Sequence, residues 1–200
     1  MNETIICYGD SNTFGYDPAS FLGGRYPYGQ RWTDILAQKT GHLFVNEGLC
    51  GREIPGTDYE RNLLGRRLCD WQQGEKPVSL WIQLGTNDLL MHPHQTAKEV
   101  AGRMESLLLA LQQQPAIQSG CIRLRLLSPP HMQPGTWVTD ERILTEAKKM
   151  DACYQDIAEQ LSVPVTLTGD WPVPLAFDGV HFTKEGHRVF AEHLYAAIFS

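Results

Sequence analysis

The sequence predicts an α/β domain built on a parallel sheet. Short apolar runs alternate along the chain with segments of helical periodicity, and each run empties into a cluster of small and polar residues. Five such runs are enough for a doubly wound sheet.

The first run, 4–8, is apolar and β-branched and too short to be a helix of its own. Beyond a turn-rich segment, 16–29, the weak stripe of Trp32, Ile35 and Leu36 marks a helix, and 43–46 is the second strand. Leu64, Leu68 and Trp71 recur at helical spacing ahead of the third strand, 78–84. Thr96 with Glu99 three residues later makes a capping box for a helix whose stripe is Val100, Met104, Leu107, Leu108 and Leu111. The fourth strand, 121–127, opens into a second turn-rich segment, 128–138. Ile143, Ala147, Met150, Tyr154, Ile157 and Leu161 then advance by alternating steps of four and three, which predicts one helix with a single apolar face. Strand 163–167 and a last stripe of Val189, Phe190, Leu194 and Ala197 complete the chain. All these stripes are read as core.

With 200 residues, 42% of them hydrophobic and 20% charged, the chain suits one compact domain over 1–200, and it holds no linker long enough to separate two. Seventeen Lys and Arg against 23 Asp and Glu give a net charge of −6, which argues against a nucleic-acid partner. No run approaches the roughly 20 apolar residues of a membrane helix. The first residues lack the basic flank of a secretory signal. Cys7, Cys50, Cys69, Cys121 and Cys153 are odd in number and scattered, so they are read as small buried apolar side chains in a reducing cytoplasm. Self-association is left open.

In open α/β sheets ligands bind beyond the carboxyl ends of the strands. The first strand is followed there by Gly9-Asp10-Ser11-Asn12, the second by Asn46-Glu47-Gly48-Leu49-Cys50-Gly51, and the third by Gly85-Thr86-Asn87-Asp88. After the fifth strand the chain reaches Asp178-Gly179-Val180-His181, with Thr183 as the cap of the last helix. Serine chemistry needs a base within reach of a hydroxyl, an acid orienting that base and donors aimed at the oxyanion. Ser11, His181 and Asp178 can supply the first three groups, and Asn87 with the backbone N–H groups of Ser11 and Gly51 the donors. Singly, each cluster is an ordinary turn or cap. Their order, each behind a predicted strand, favours a shared site.

At these residues the sequence resembles the SGNH hydrolases, also called the GDSL lipase/esterase family, over nearly its whole length. The resemblance implies a three-layer α/β/α flavodoxin-like fold, Ser11 as nucleophile, Gly51 and Asn87 as oxyanion donors, and Asp178 and His181 as triad partners. Gly51 is preferred to Gly48 because the family's donor commonly lies five residues after the asparagine that ends the second strand, here Asn46. The segments 7–16, 46–52, 128–130 and 178–183 look most like the bacterial arylesterase/acyltransferase branch. That branch can carry tryptophan where this chain has Phe14 and Tyr16, and a small residue other than glycine at Gly51.

Around this constellation, Asp10 and Asp88 are expected to brace the two turns through backbone N–H groups, and Arg52 to stand at the mouth or pair with a carboxylate. Phe14, Tyr16, Trp137 and Trp171 are candidate walls for an acyl or aryl group. His92 and His94, which straddle Pro93, and His131 lack the supporting ligands of a metal site. His187 and His193 are read as lining the boundary of the last helix with solvent. The expectation is a cofactor-free, metal-free serine esterase acting on a small-molecule ester with a short acyl group, with some acyl transfer. The alternatives are a carbohydrate O-deacetylase, a thioesterase or lysophospholipase, and, in another class, a non-catalytic flavodoxin-like binding module.

Overall fold

The computed structural model describes residues 2–72, 77–92 and 94–200. Five parallel strands form one sheet in the order β2-β1-β3-β4-β5: β1 (Thr4–Gly9), β2 (Leu43–Gly48), β3 (Val78–Gln83), β4 (Ile122–Leu127) and β5 (Val165–Thr166). This is the flavodoxin-like order, with the chain reversing direction across the sheet at β1 and β3. β1, β2 and β3 end in register, Gly9 lying beside Gly48 on one side and Gln83 on the other. Everything that follows these three residues leaves the sheet at one edge.

Alternation along β1 divides the core. Ile6 joins the larger apolar cluster with α3 (Asp58–Trp71), α5 (Ala97–Gln112), α7 (Glu141–Ala147) and α8 (Met150–Leu161). Ile5 and Cys7 join the smaller cluster with α2 (Trp32–Thr40) and α9 (Lys184–Phe199). Helices therefore cover both faces, giving three layers. Three short helices complete the fold: α1 (Ser11–Phe14), α4 (Thr86–Met91) and α6 (Pro115–Gln118). The capping box of Thr96 and Glu99 starts α5, and Thr183 caps α9 by accepting from Gly186 N at 2.9 Å.

Four expectations need correction. The predicted helix over 143–161 is two helices, because Lys149 N bonds to Glu146 O, three residues back, and tightens the turn between them. The apolar stripe nevertheless stays in phase, Ile143, Ala147 and Met150 all being buried. The fifth strand shrinks to two residues; Pro164, which has no N–H, stands just before it. In α9 the buried side is His187, Phe190, Ala191 and Leu194, with Ala197 exposed. His187 is therefore core, its burial pushing the imidazole pKa down to about 3. Of the cysteines only Cys7 is buried; Cys50, Cys69 and Cys121 are exposed. Among the described residues no helix is long and apolar enough to cross a membrane.

Candidate active site

Ser11 opens α1 directly beyond β1, where the Asp10 carboxylate caps the helix by accepting from Asn12 N at 2.9 Å. Its hydroxyl lies 3.0 Å from His181 Nε2, and His181 Nδ1 lies 2.8 Å from Asp178 Oδ2. The second oxygen of Asp178 accepts from Val180 N and His181 N, both at 2.9 Å. Burial alone would raise the Asp178 pKa, but these donors outweigh it and hold the carboxyl below its ordinary value. An ionised Asp178 keeps the proton of His181 on Nδ1 and leaves Nε2 free to accept from the serine hydroxyl. Hydroxyl, imidazole and carboxylate are all buried, 170 residues of chain separating the first two.

Two loops hold the imidazole. Trp137 N donates to Asp178 O at 3.2 Å and Gln133 N to Gly179 O at 2.9 Å, so the segment after β4 backs the segment that carries Asp178. From the other side, Asn12 Oδ1 accepts from Phe182 N at 2.8 Å while Asn12 Nδ2 donates to Val180 O at 3.0 Å. Asn12 thus grips the residues before and after His181 and ties them to the turn carrying Ser11. Sequence reasoning missed this residue. The only local signal was a third polar side chain in a row, directly after Asp10 and Ser11.

Asn87, in the lining of the same cavity as Ser11 and His181, sits in the first turn of α4 with its Nδ2 donating to Arg52 O at 3.0 Å. Gly51 adopts φ +74°, the left-handed region that favours glycine. Gly48 N donates to Asn46 Oδ1 at 3.1 Å, and a Cβ there would come within 2.1 Å of Phe14 N. Gly48 is therefore a packing residue with its N–H already used, whereas Gly51 borders the site cavity. That cavity, about 320 Å³, lies against Ser11, Asn87 and His181 and is walled by Tyr16, Cys50, Met91 and Trp137. The rings of Tyr16 and Trp137 stand 4.7 and 5.0 Å from that of His181.

A family model described as GDSL-like lipase/acylhydrolase matches residues 7–189, which include all of these groups. The chain belongs to that family.

Solved structures share the fold of this SGNH hydrolase along nearly the whole of both chains. A carbohydrate acetylesterase from Sinorhizobium meliloti is 24% identical with a TM-score of 0.77, covering 98% of this chain and 100% of its own. An aryl esterase from M. smegmatis is 22% identical with a TM-score of 0.81, covering 98% of each chain. A member of the lipolytic G-D-S-L family from Veillonella parvula DSM 2008 is 19% identical with a TM-score of 0.70, again over 98% of each. Comparison with curated proteins returns no match.

The other residues singled out in the hydrolase sequence fall into place unevenly. Asp10 and Asp88 both reach backbone N–H groups, Asp88 accepting from Ile54 N at 3.2 Å and pairing with Arg103 at 3.1 Å. Burial raises each carboxyl to about 6, against the pull of Asn12 N on Asp10 and of the Arg103 guanidinium on Asp88. Arg52 is not a free charge at the mouth: its Nη1 donates to Gly9 O at 2.9 Å and also to Glu47 O. Phe14 lies outside the cavity wall, its ring under the Arg25 guanidinium at 4.4 Å. Trp171 also lies outside it, packed on Phe190 and stacked on His193 against α9. His92 pairs with Glu53 at 2.7 Å and His131 with Asp170 at 3.3 Å; Pro93 lies outside the described residues. Cys50 and Met91, which the sequence reading did not single out, take wall positions instead.

Proposed function

We propose that this hydrolase is a serine esterase for short-acyl carboxylic esters, working through an acyl-Ser11 intermediate. The observation that carries the reading is the unbroken chain from Ser11 Oγ through His181 to Asp178. As Ser11 Oγ bonds to the ester carbonyl carbon, its proton passes to His181 Nε2 and the carbonyl electron pair becomes an oxyanion. Asn87 Nδ2 and the N–H groups of Ser11 and Gly51 stabilise that charge. Collapse breaks the carbon–oxygen bond to the alcohol, which leaves with the proton from Nε2. Water, activated by the same nitrogen, then attacks the acyl carbon and regenerates Ser11. A small alcohol entering in place of water gives acyl transfer.

The wall supports a short acyl group. At about 320 Å³ the cavity is near the lower end of the roughly 300–1,000 Å³ common for ligand sites. Trp137 and Met91 stay 56% and 66% exposed, so little apolar surface is available to enclose a long chain. Each further CH₂ contributes about 0.8 kcal/mol only where such surface receives it. The value of kcat/KM on p-nitrophenyl esters is therefore expected to fall from acetate or butyrate to octanoate; a maximum at long chains would point to a lipase or lysophospholipase. A fluorophosphonate is expected to label Ser11, as read by mass spectrometry, and an unlabelled folded protein would point to a binding module.

One observation favours a second reading for the alcohol part. A cavity of about 480 Å³ shares Gly51 with the site and has both donors and acceptors in its lining, Arg67 and Arg103 with Glu53 and Glu60. That lining suits a polyhydroxylated alcohol, as in a carbohydrate O-deacetylase. Acetylated sugars turned over with a higher kcat/KM than p-nitrophenyl acetate would favour this reading.

A further inference from the structure

Arg52 makes no ion pair with a carboxylate among the described residues; its guanidinium is spent on the main chain. Nη1 reaches both Gly9 O, at the end of β1, and Glu47 O, near the end of β2, while the guanidinium lies 4.0 Å over the Tyr8 ring. The two carbonyls lie where β1 and β2 give way to the turns carrying Ser11 and Gly51. One nitrogen of the guanidinium reaches both carbonyls while its plane covers an aromatic face, and an ammonium has no such plane to stack. The main chain of Arg52 is committed as well. Its N–H donates to Leu49 O at 3.1 Å, closing the turn that carries Gly51, and its carbonyl holds Asn87 Nδ2 at 3.0 Å. One residue therefore touches the strand ahead of Ser11, the turn of Gly51 and the amide of Asn87.

We infer that Arg52 is a positioning residue, a clamp that sets the spacing between the oxyanion donors and the Ser11 hydroxyl. The inference rests on the serine-esterase reading. Asn87 Nδ2 carries two hydrogens, and with one bound to Arg52 O the amide is oriented before substrate arrives, leaving the other for the oxyanion. Donors fixed in advance need no reorganisation as charge develops, so the clamp acts on kcat and leaves substrate affinity alone.

The test is steady-state hydrolysis of p-nitrophenyl acetate together with the rate at which a fluorophosphonate modifies Ser11. Arg52→Ala is expected to lower kcat by about 30–100-fold with KM within about threefold of wild type, and to slow labelling in parallel. Arg52→Lys is expected to recover less than a tenth of the loss, whereas added guanidinium ion at millimolar concentration restores part of the Arg52→Ala activity. Because Arg52 acts through the donors, Arg52→Ala/Asn87→Ala is expected to lose little more than Asn87→Ala. Tyr8→Leu, which removes only the stacking surface, should lower kcat several-fold at constant KM, and it carries the test if Arg52→Ala does not fold. Wild-type labelling rates in Arg52→Ala, a change confined to KM, or additive losses in the double variant would overturn the clamp while leaving the esterase reading intact. A wild-type protein that is not labelled at Ser11 would overturn both.

Discussion

On the base side of the site, one buried carboxylate collects three donors: Asp178 accepts from Val180 N, His181 N and His181 Nδ1 and is held below its ordinary pKa. On the other side of the serine, Asp10 and Asp88 are buried too but are pushed up to about 6, the first capping α1 and the second bracing Ile54 against Arg103. Burial raises all three carboxyl groups; it weighs most on Asp10 and Asp88, where it outweighs their donors, and less on Asp178, where the donors outweigh it. The difference separates two jobs. In the proposed mechanism Asp178 must stay charged to stabilise a developing imidazolium, whereas Asp10 and Asp88 only have to keep accepting backbone N–H bonds, which a carboxyl oxygen does in either protonation state.

The hardest break falls on the base side. Ser11→Ala and His181→Ala are each expected to reduce kcat on p-nitrophenyl acetate by about 10³-fold or more, and the double variant by little beyond either single one, because the two groups act as a unit. Asp178→Asn keeps the shape but favours the wrong imidazole tautomer, so a loss on the order of 10³-fold is expected with the fold retained by circular dichroism. Additive losses from Ser11→Ala and His181→Ala would show two independent groups. On the other side, Asn87→Ala is expected to lower kcat by roughly 10²–10³-fold with KM little changed, since its bond strengthens mainly in the transition state. An unchanged kcat would remove Asn87 from the oxyanion hole.

Ser11 and Asn87 were legible because each follows closely on a strand end, a local feature of hydrophobic pattern and glycine placement, whereas Asp178 and His181, well beyond β5, were legible from their own three-residue spacing just ahead of the Thr183 cap of α9. The fold was legible for the same reason, down to the capping box of α5. What escaped was anything fixed by the approach of distant segments. Asn12 looks like a turn residue until Val180 and Phe182 arrive from 168 and 170 positions away. Trp171 and Phe14 looked like pocket walls because they stand in or near loops beside the motifs, but which way a loop side chain packs is decided by α9 and by Arg25. The split between α7 and α8 escaped because both halves bury the same stripe, so periodicity carries no mark of the tightened turn.

Asn12 is also the joint between the two sides, and its loss should be intermediate. With Asn12→Ala the contacts to Val180 O and Phe182 N disappear, and the imidazole is then held to the Ser11 turn by its own bond to the hydroxyl and by the Tyr16 ring. A displacement well under an ångström is enough to cost roughly 10–100-fold in kcat. The melting temperature should fall too, because two buried partners lose their bonds. Wild-type kcat in Asn12→Ala would show that the 133–138 segment alone holds the base.

The smallest effect on activity, and the sharpest on the comparison, comes from removing the charge of Asp10 without its shape and setting the result beside Asp178→Asn. A carboxyl whose folded pKa stands at about 6, above an unfolded value near 3.8, binds its proton more tightly in the folded state. Its contribution to stability is thus largest at low pH and is lost as pH rises through 6. Asp178 has the opposite sign: lowered in the folded state, it stabilises above its unfolded pKa and loses that contribution as pH falls. Asp10→Asn leaves an oxygen to cap Asn12 N while removing a buried charge. It should therefore flatten the decline in stability between about pH 4 and 6 and gain up to about 3 kcal/mol at neutral pH, with activity changed only a few-fold. Asp178→Asn should instead lose stability at neutral pH and converge on wild type in acid. Urea denaturation of both variants at several pH values reads the two slopes directly. If the two variants shift stability in the same direction between pH 4 and 7, the opposition of the two carboxylates does not hold.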